Sequence, residues 1–120
     1  MIKFFKSVFE EDRAPVVICD VNHMVIYMNP SAIERYHKCL VGSSILECHP
    51  DKANEMILKV VDWFKADKSH NRIYTYHNEK ENKDVYMIAL RDEDKNLIGY
   101  YEKHEYRNKE TDKLYDFKAG

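Results

Sequence analysis

Glycine and proline are both scarce in this chain, three of each in 120 residues. So few chain breakers leave no flexible linker, and there is no internal repeat. The chain therefore reads as one domain, since a single core is usual at this length. Short glycine-bearing polar loops of the kind that build enzyme active sites are missing too. Cysteine is limited to Cys19, Cys39 and Cys48, which cannot form a closed disulfide set, and Cys19 lies in an apolar run. Reduced thiols in a cytoplasmic protein are the simpler expectation. Charge of one sign is also absent: 19 basic and 21 acidic residues leave a net charge of −2. A nucleic-acid footprint needs a one-signed basic patch. Only KSHNR (68–72) is locally basic, and it reads as a solvated helix end. MIKFFKSVFEEDR at the start is too short and too soon acidic for a signal peptide or a membrane span.

What the chain does carry is apolar patterning. Hydrophobic residues make up 44% of it, with nine Tyr, five Phe and one Trp, enough for a packed core. Phe4, Phe5, Val8 and Phe9 fall at helical spacing in residues 2–10. A helix this short is marginal alone and has to pack on something. APVVICD (14–20) is rich in β-branched residues and reads as a strand. Asp20, Val21, Asn22 and His23 form a turn, with Asn22 suited to a left-handed backbone. MVIYMN (24–29) returns, so residues 15–29 read as a hairpin. Asn29-Pro30 opens a short helix over 30–37, Asn as the cap and Pro in the first turn. A loop follows through Gly42.

Ala53, Met56, Ile57, Val60, Val61 and Phe64 then recur on one stripe of a long helix. Pro50 in its first turn and Asp51 at the positive end of its dipole mark the start, and Lys65 and Lys68 suit the other end. RIYTYHN (72–78), DVYMIALR (84–91) and LIGYYEKHEY (97–106) alternate as strands, joined by polar turns as in an antiparallel meander. The fold class is α+β, with helices segregated from an antiparallel sheet. One side-chain phase of these strands holds Ile73, Thr75 and His77; Val85, Met87 and Ala89; Ile98, Tyr100, Glu102 and His104. The other holds Tyr74 and Tyr76; Tyr86, Ile88 and Leu90; Tyr101, Lys103 and Glu105. The second set is too aromatic for a wet face, so the N-terminal helix or a partner subunit is expected to cover it.

APVVICDVNHMVIYMNPSAIERY, LVGSSILECHPDKANEMILKVVDWF and YMIALRDEDKNLIGYYEKHEY together resemble a PAS domain over roughly residues 10–106. The middle segment resembles PAS modules with a Gly…Cys-His-Pro stretch ahead of the long helix, often appended to hemerythrin-like domains. The resemblance implies a five-stranded antiparallel sheet, order 2-1-5-4-3, with helices crossing one face. It implies a flanking helix at 1–10, a PAS domain at 11–106 and a tail at 107–120. It also implies a small molecule or partner helix held between sheet and helices, dimerisation through the N-terminal helix, and the Ile73/Val85/Tyr100 phase facing inward. Two features depart from the family pattern. The usual glycine of the first hairpin turn is replaced by Asn22-His23, and the Asp-Ile-Thr expected after the last strand reads Tyr106-Arg107-Asn108. KETDKLYDFKAG (109–120) carries no kinase, cyclase or DNA-binding module, so output by association is expected.

Flavin photochemistry in light-sensing relatives needs a cysteine in a Gly-x-x-Cys stretch; the position after Gly42 is Ile45, so a flavin–cysteinyl adduct is not expected. Haem sensors place a histidine on the long helix. Residues 51–66 have none, although His70 lies just beyond, so haem is not expected either. HKC (37–39) and Cys48-His49 offer zinc-type ligands without zinc spacing. Cys48 reads as a small buried hydrophobe, and His49 as backbone punctuation before the helix. No nucleophile, base and orienting group stand out, so an enzyme is not expected.

Tyr100, Glu102 and His104, with Thr75 and His77 beside them, are the informative set. Inward-facing polar groups must be satisfied by one another, by water or by a ligand. One outcome is an internal network, with Glu102 on His77 or His104. The other is a cavity for a small molecule, walled by Met56, Val60, Met87 and Ala89. A phase error of one residue would put the cluster in solvent. The expected function is a cytoplasmic, bacterial-type, dimeric PAS sensory module that binds a small molecule and signals through a protein partner. The alternative is a ligand-free PAS scaffold whose interface is Phe4, Phe5, Val8 and Phe9 with Tyr74, Tyr76, Tyr86 and Tyr101. Neither nucleic acid nor membrane is an expected partner.

Overall fold

In the computed structural model, which describes residues 1–117, helix α1 (Ile2–Glu10) precedes a hairpin of β1 (Val17–Asp20) and β2 (Val25–Met28). Helix α2 (Pro30–Tyr36), a 3-10 turn at Ile45–Cys48 and the long helix α3 (Asp51–Ala66) follow, then β3 (Arg72–Asn78), β4 (Lys83–Arg91) and β5 (Leu97–Tyr106). The five strands form one antiparallel sheet in the order β2-β1-β5-β4-β3. Residues 107–117 form neither helix nor strand, and the last three residues of the expected tail lie outside the described residues.

The hairpin turn differs from expectation in one residue. His23, not Asn22, takes the left-handed backbone, at φ 68°. Asp20 is the reason: its Oδ1 accepts from the backbone N–H of Asn22 (2.8 Å) and of Met24 (3.0 Å), which hands the positive φ to the residue between them. At the far side of β1, Gly99 of β5 lies against the chain so closely that a Cβ there would sit 2.2 Å from the Cys19 carbonyl oxygen. Only glycine lets those strands pair at this distance.

Helix α3 buries Ile57, Val60, Val61 and Phe64 against the sheet, as its stripe predicts. Pro50 serves as its cap residue rather than lying inside the first turn. The opposite end is held by Arg91, whose Nη2 donates to the carbonyls of Phe64 (2.7 Å), Asp67 (3.1 Å) and His70 (3.2 Å). The Phe64 carbonyl is one of those a helix end leaves without an intrahelical partner, and Asp67 and His70 belong to the turn that follows. The His70 ring stacks flat on Trp63, with centroids 4.0 Å apart.

Asn29 is fully buried and joins four segments. Its Oδ1 accepts from Val16 N–H and from Ala32 N–H, both at 2.9 Å, the second being the cap of α2. Its Nδ2 donates to the carbonyls of Phe9 and Ala14 at 2.9 Å and of Asp12 at 3.3 Å. The end of α1 is therefore tied to the domain, whereas its remaining turns are not. Phe9 packs on Tyr27 with ring centroids 6.2 Å apart, but Phe4, Phe5 and Val8 stay 64%, 59% and 67% exposed. The expectation that α1 covers the outer face is thus corrected: nine residues anchored by their last turn do not reach over it. Replacing Asn29 by Ala strands the cap and several buried backbone groups, and should cost about 2–4 kcal/mol. The urea midpoint, at an unchanged slope, checks it.

Candidate ligand-binding site

Between the inner face of the sheet and the helices lies a cavity of about 440 Å³. Strand β5 supplies Tyr100, Glu102 and His104, and β4 supplies Met87. These side chains face inward because β4 and β5 pair without interruption from Lys83↔Tyr106 to Leu90↔Gly99, so period-two alternation holds along that stretch. Beyond it the register shifts between Leu90 and Arg91, and Ile98, expected on the inner face, is 53% exposed.

Strand β3 breaks the alternation where it matters most. Its register against β4 slips between Tyr74 and Tyr76: Tyr74 lies opposite Tyr86, and Tyr76 opposite Val85. Thr75 occupies the bulge, its Oγ1 donating to the Val85 carbonyl at 3.0 Å. A bulge of one residue reverses every side chain after it. Tyr76, expected on the outer aromatic face, therefore lines the cavity, and His77, expected inside, lies on the outer face with its Nδ1 2.8 Å from Asp84 Oδ1. Asp84 also accepts from Tyr74 Oη (2.7 Å) and from Arg107 Nε (2.8 Å), and these partners hold its carboxyl far below the usual carboxylate range. Tyr74 and Tyr86 stay on the outer face, rings 5.2 Å apart, and Tyr101 is half-buried there.

Of the expected ligand-contact residues, Met56, Met87, Tyr100, Glu102 and His104 line the cavity. Val60 and Ala89 pack in the core, and Thr75 is spent on the bulge. The sequence reading missed Arg35 and Tyr36 at the end of α2, Ile45 and His49 around the 3-10 turn, Ala53 and Ile57 on α3, and Pro15, Val17 and Cys19 on the hairpin. Ala53 and Ile57 stood on the apolar stripe and could have been added from it. His49 carries more than punctuation: its Nδ1 donates to the Ile45 carbonyl at 3.0 Å and its Nε2 lies 3.5 Å from the Tyr36 hydroxyl.

The expected internal network does not form. Glu102 lies 3.7 Å from His104 Nε2, beyond hydrogen-bond range, and His77 is on the other face. His104 is 8% exposed and its Nδ1 is buried without a partner. Desolvation, aided by Lys83 and Arg35, pushes its imidazole down to about 4. Desolvation also raises the Glu102 carboxyl above its ordinary value, opposed in part by His49, Lys83 and Arg35. Arg35 is committed elsewhere. It grips Glu81 through two bonds of 2.8 and 2.7 Å, and buried Lys83 reaches the same carboxylate at 3.3 Å. Burial pushes the Tyr36 hydroxyl up to about 12 and the Cys19 thiol up to about 11. Tyr100 shares its hydroxyl with His23 Nδ1, 2.9 Å away.

No family model matches the chain, and no curated protein does. Solved structures do. A PAS domain from Colwellia psychrerythraea superposes with a TM-score of 0.66 at 12% identity, over 88% of this chain and 96% of that one. The PAS domain of BvgS from Bordetella pertussis gives 0.63 at 16% identity, over 90% and 87%. A sensory box sensor histidine kinase from Vibrio cholerae gives 0.59 at 13%, over 87% and 86%. The chain has the PAS fold.

His104 makes acid stability a readout of the cavity. Its folded value near 4 lies below the unfolded 6.5, so the unfolded chain binds the proton first and stability falls as pH drops through that window. Glu102, raised in the folded state, acts in the opposite sense as pH rises above 4.5. Urea midpoints measured against pH should fall less steeply between 6.5 and 4 in His104→Gln than in the parent chain; parallel curves would place the imidazole in solvent.

Proposed function

We propose that this chain is a non-enzymatic PAS sensory module that binds a small molecule between its sheet and α3 and reports occupancy by association with another protein. The observation that carries the reading is the cavity itself, with His104 Nδ1 buried without a partner and Glu102, 3.7 Å from His104 Nε2, beyond hydrogen-bond range of it. Folded cores rarely leave buried polar groups unspent, and such groups in an apolar-walled hollow suit a ligand. The sensor named among the structural neighbours supports the signalling half. A thiol pushed up to about 11 at Cys19 is the reverse of an activated nucleophile, which supports the absence of catalysis. Among the described residues no helix is long and apolar enough to cross a membrane. The free cysteines suit a reducing cytoplasm. Native mass spectrometry of the purified chain, recorded beside its absorption spectrum, should show extra mass on each protomer. A bare chain that also gains no mass from a metabolite extract would remove the ligand from the reading.

A second reading, a PAS scaffold for assembly, is favoured by α1, whose Phe4, Phe5 and Val8 form an exposed apolar face. A symmetric pairing of two such helices would cover it. The triple change Phe4→Ser, Phe5→Ser and Val8→Ser leaves the Phe9 and Asn29 anchor in place. It is expected to convert a dimer to a monomer by light scattering; an unchanged mass would count against α1 as the interface.

A further inference from the structure

The cavity lining is mixed. Val17, Ile45, Met56, Ile57 and Met87 are its apolar part, and Arg35, Tyr36, His49, Tyr76, Glu102 and His104 its polar part, with Met87 directly across from Glu102 in the strand register. The polar part contains a single carboxyl group, Glu102. Its basic neighbours are Arg35, Lys83, His49 and His104, and His49 is turned to the Ile45 carbonyl and the Tyr36 hydroxyl. Arg35 spends both guanidinium tips on Glu81. Lys83 is fully buried, against Glu81 and 5.2 Å from the centre of the Tyr106 ring, and does not line the cavity. His104 is kept uncharged at neutral pH by burial. Glu102 is left as the charge-bearing group of the cavity with no partner in hydrogen-bond range.

Three phenols surround it. Tyr36, Tyr76 and Tyr100 all line the cavity, and all stand close enough to Glu102 for its charge to raise their hydroxyls. The Glu102 side chain is 31% exposed and half-sheltered, and a carboxylate there without a hydrogen bond gains from a ligand that brings a positive charge to it. Aromatic faces attract the same charge. A ligand carboxylate would meet Glu102 instead, with Arg35 turned to Glu81.

Resting on the reading of this cavity as a ligand site, we infer that the ligand is an organic amine: an ammonium group held by Glu102 among Tyr36, Tyr76 and Tyr100, joined to an apolar body that lies along Met56 and Met87. A volume of about 440 Å³ accommodates a molecule of the size of a phenylalkylamine.

The test uses three probes that share one body and differ in head group: 4-phenylbutylamine, 4-phenylbutanol and 4-phenylbutyrate. Binding is followed at pH 7 by calorimetry and by the methyl NMR signals of Met56 and Met87. The amine is expected to bind at least tenfold more tightly than the alcohol or the acid. Glu102→Gln, which keeps the side-chain shape, should abolish that preference. Equal affinity for the three, or tightest binding of the acid, overturns the amine inference while leaving the cavity a ligand site. If no probe binds and the methionine methyls do not move, the ligand reading beneath it falls as well. The ranking in the parent chain decides the matter even if the Glu102 variant folds poorly.

Discussion

The Asn29 carboxamide is the interaction on which the arrangement rests. A buried site with two N–H groups on one side and three carbonyls on the other can be satisfied without a charge only by a primary amide. An aspartate would face the carbonyls with oxygen, and an apolar side chain would remove all five of these bonds. By making them, Asn29 sets where α1 ends, where β1 begins and where α2 starts. The placement of β1 in turn decides the sheet. It lies between β2 and β5, and it can approach β5 only because Gly99 has no side chain.

With β1 and β5 so close, the inner face is continuous from the hairpin to β3, and α3 closes over it. That face is not uniformly apolar. Tyr100, Glu102 and His104 run down β5, and the pairs made by Glu81 with Arg35 and Lys83 draw cationic charge away from them. The result is a hollow lined by apolar side chains, phenols and the Glu102 carboxyl. Burying the His104 Nδ1 without a hydrogen bond works against stability. Its presence is the kind of local conflict that marks a functional position rather than a packing one.

The outer face follows a different logic. Asp84 gathers Tyr74, His77 and Arg107, while Arg72 lies over the Tyr86 ring at 4.3 Å. Polar and cationic groups set over the rings make an aromatic face tolerable in water. This explains how the sheet stands with α1 swung clear, an arrangement that its tyrosine content alone argued against.

Local pattern was enough to read α3, the hairpin, the meander and the inward row on β5, because each is set by spacing within a few neighbouring residues: a 3.6-residue stripe, a turn, an unbroken alternation. It was enough for the α+β class and, through the resemblance, for the strand order. It could not reveal the bulge at Thr75, since a bulge depends on how two strands register and leaves no mark in either one alone; Tyr76 and His77 exchanged faces for that reason. Nor could it show that Arg35, Tyr36 and His49 meet Glu102, because they sit on short segments whose position depends on chain packing far away. The sequence by itself determined the elements and the polar row. Only tertiary structure decided which of those groups share a cavity and which are already paired, because burial and partnership belong to contacts between distant segments.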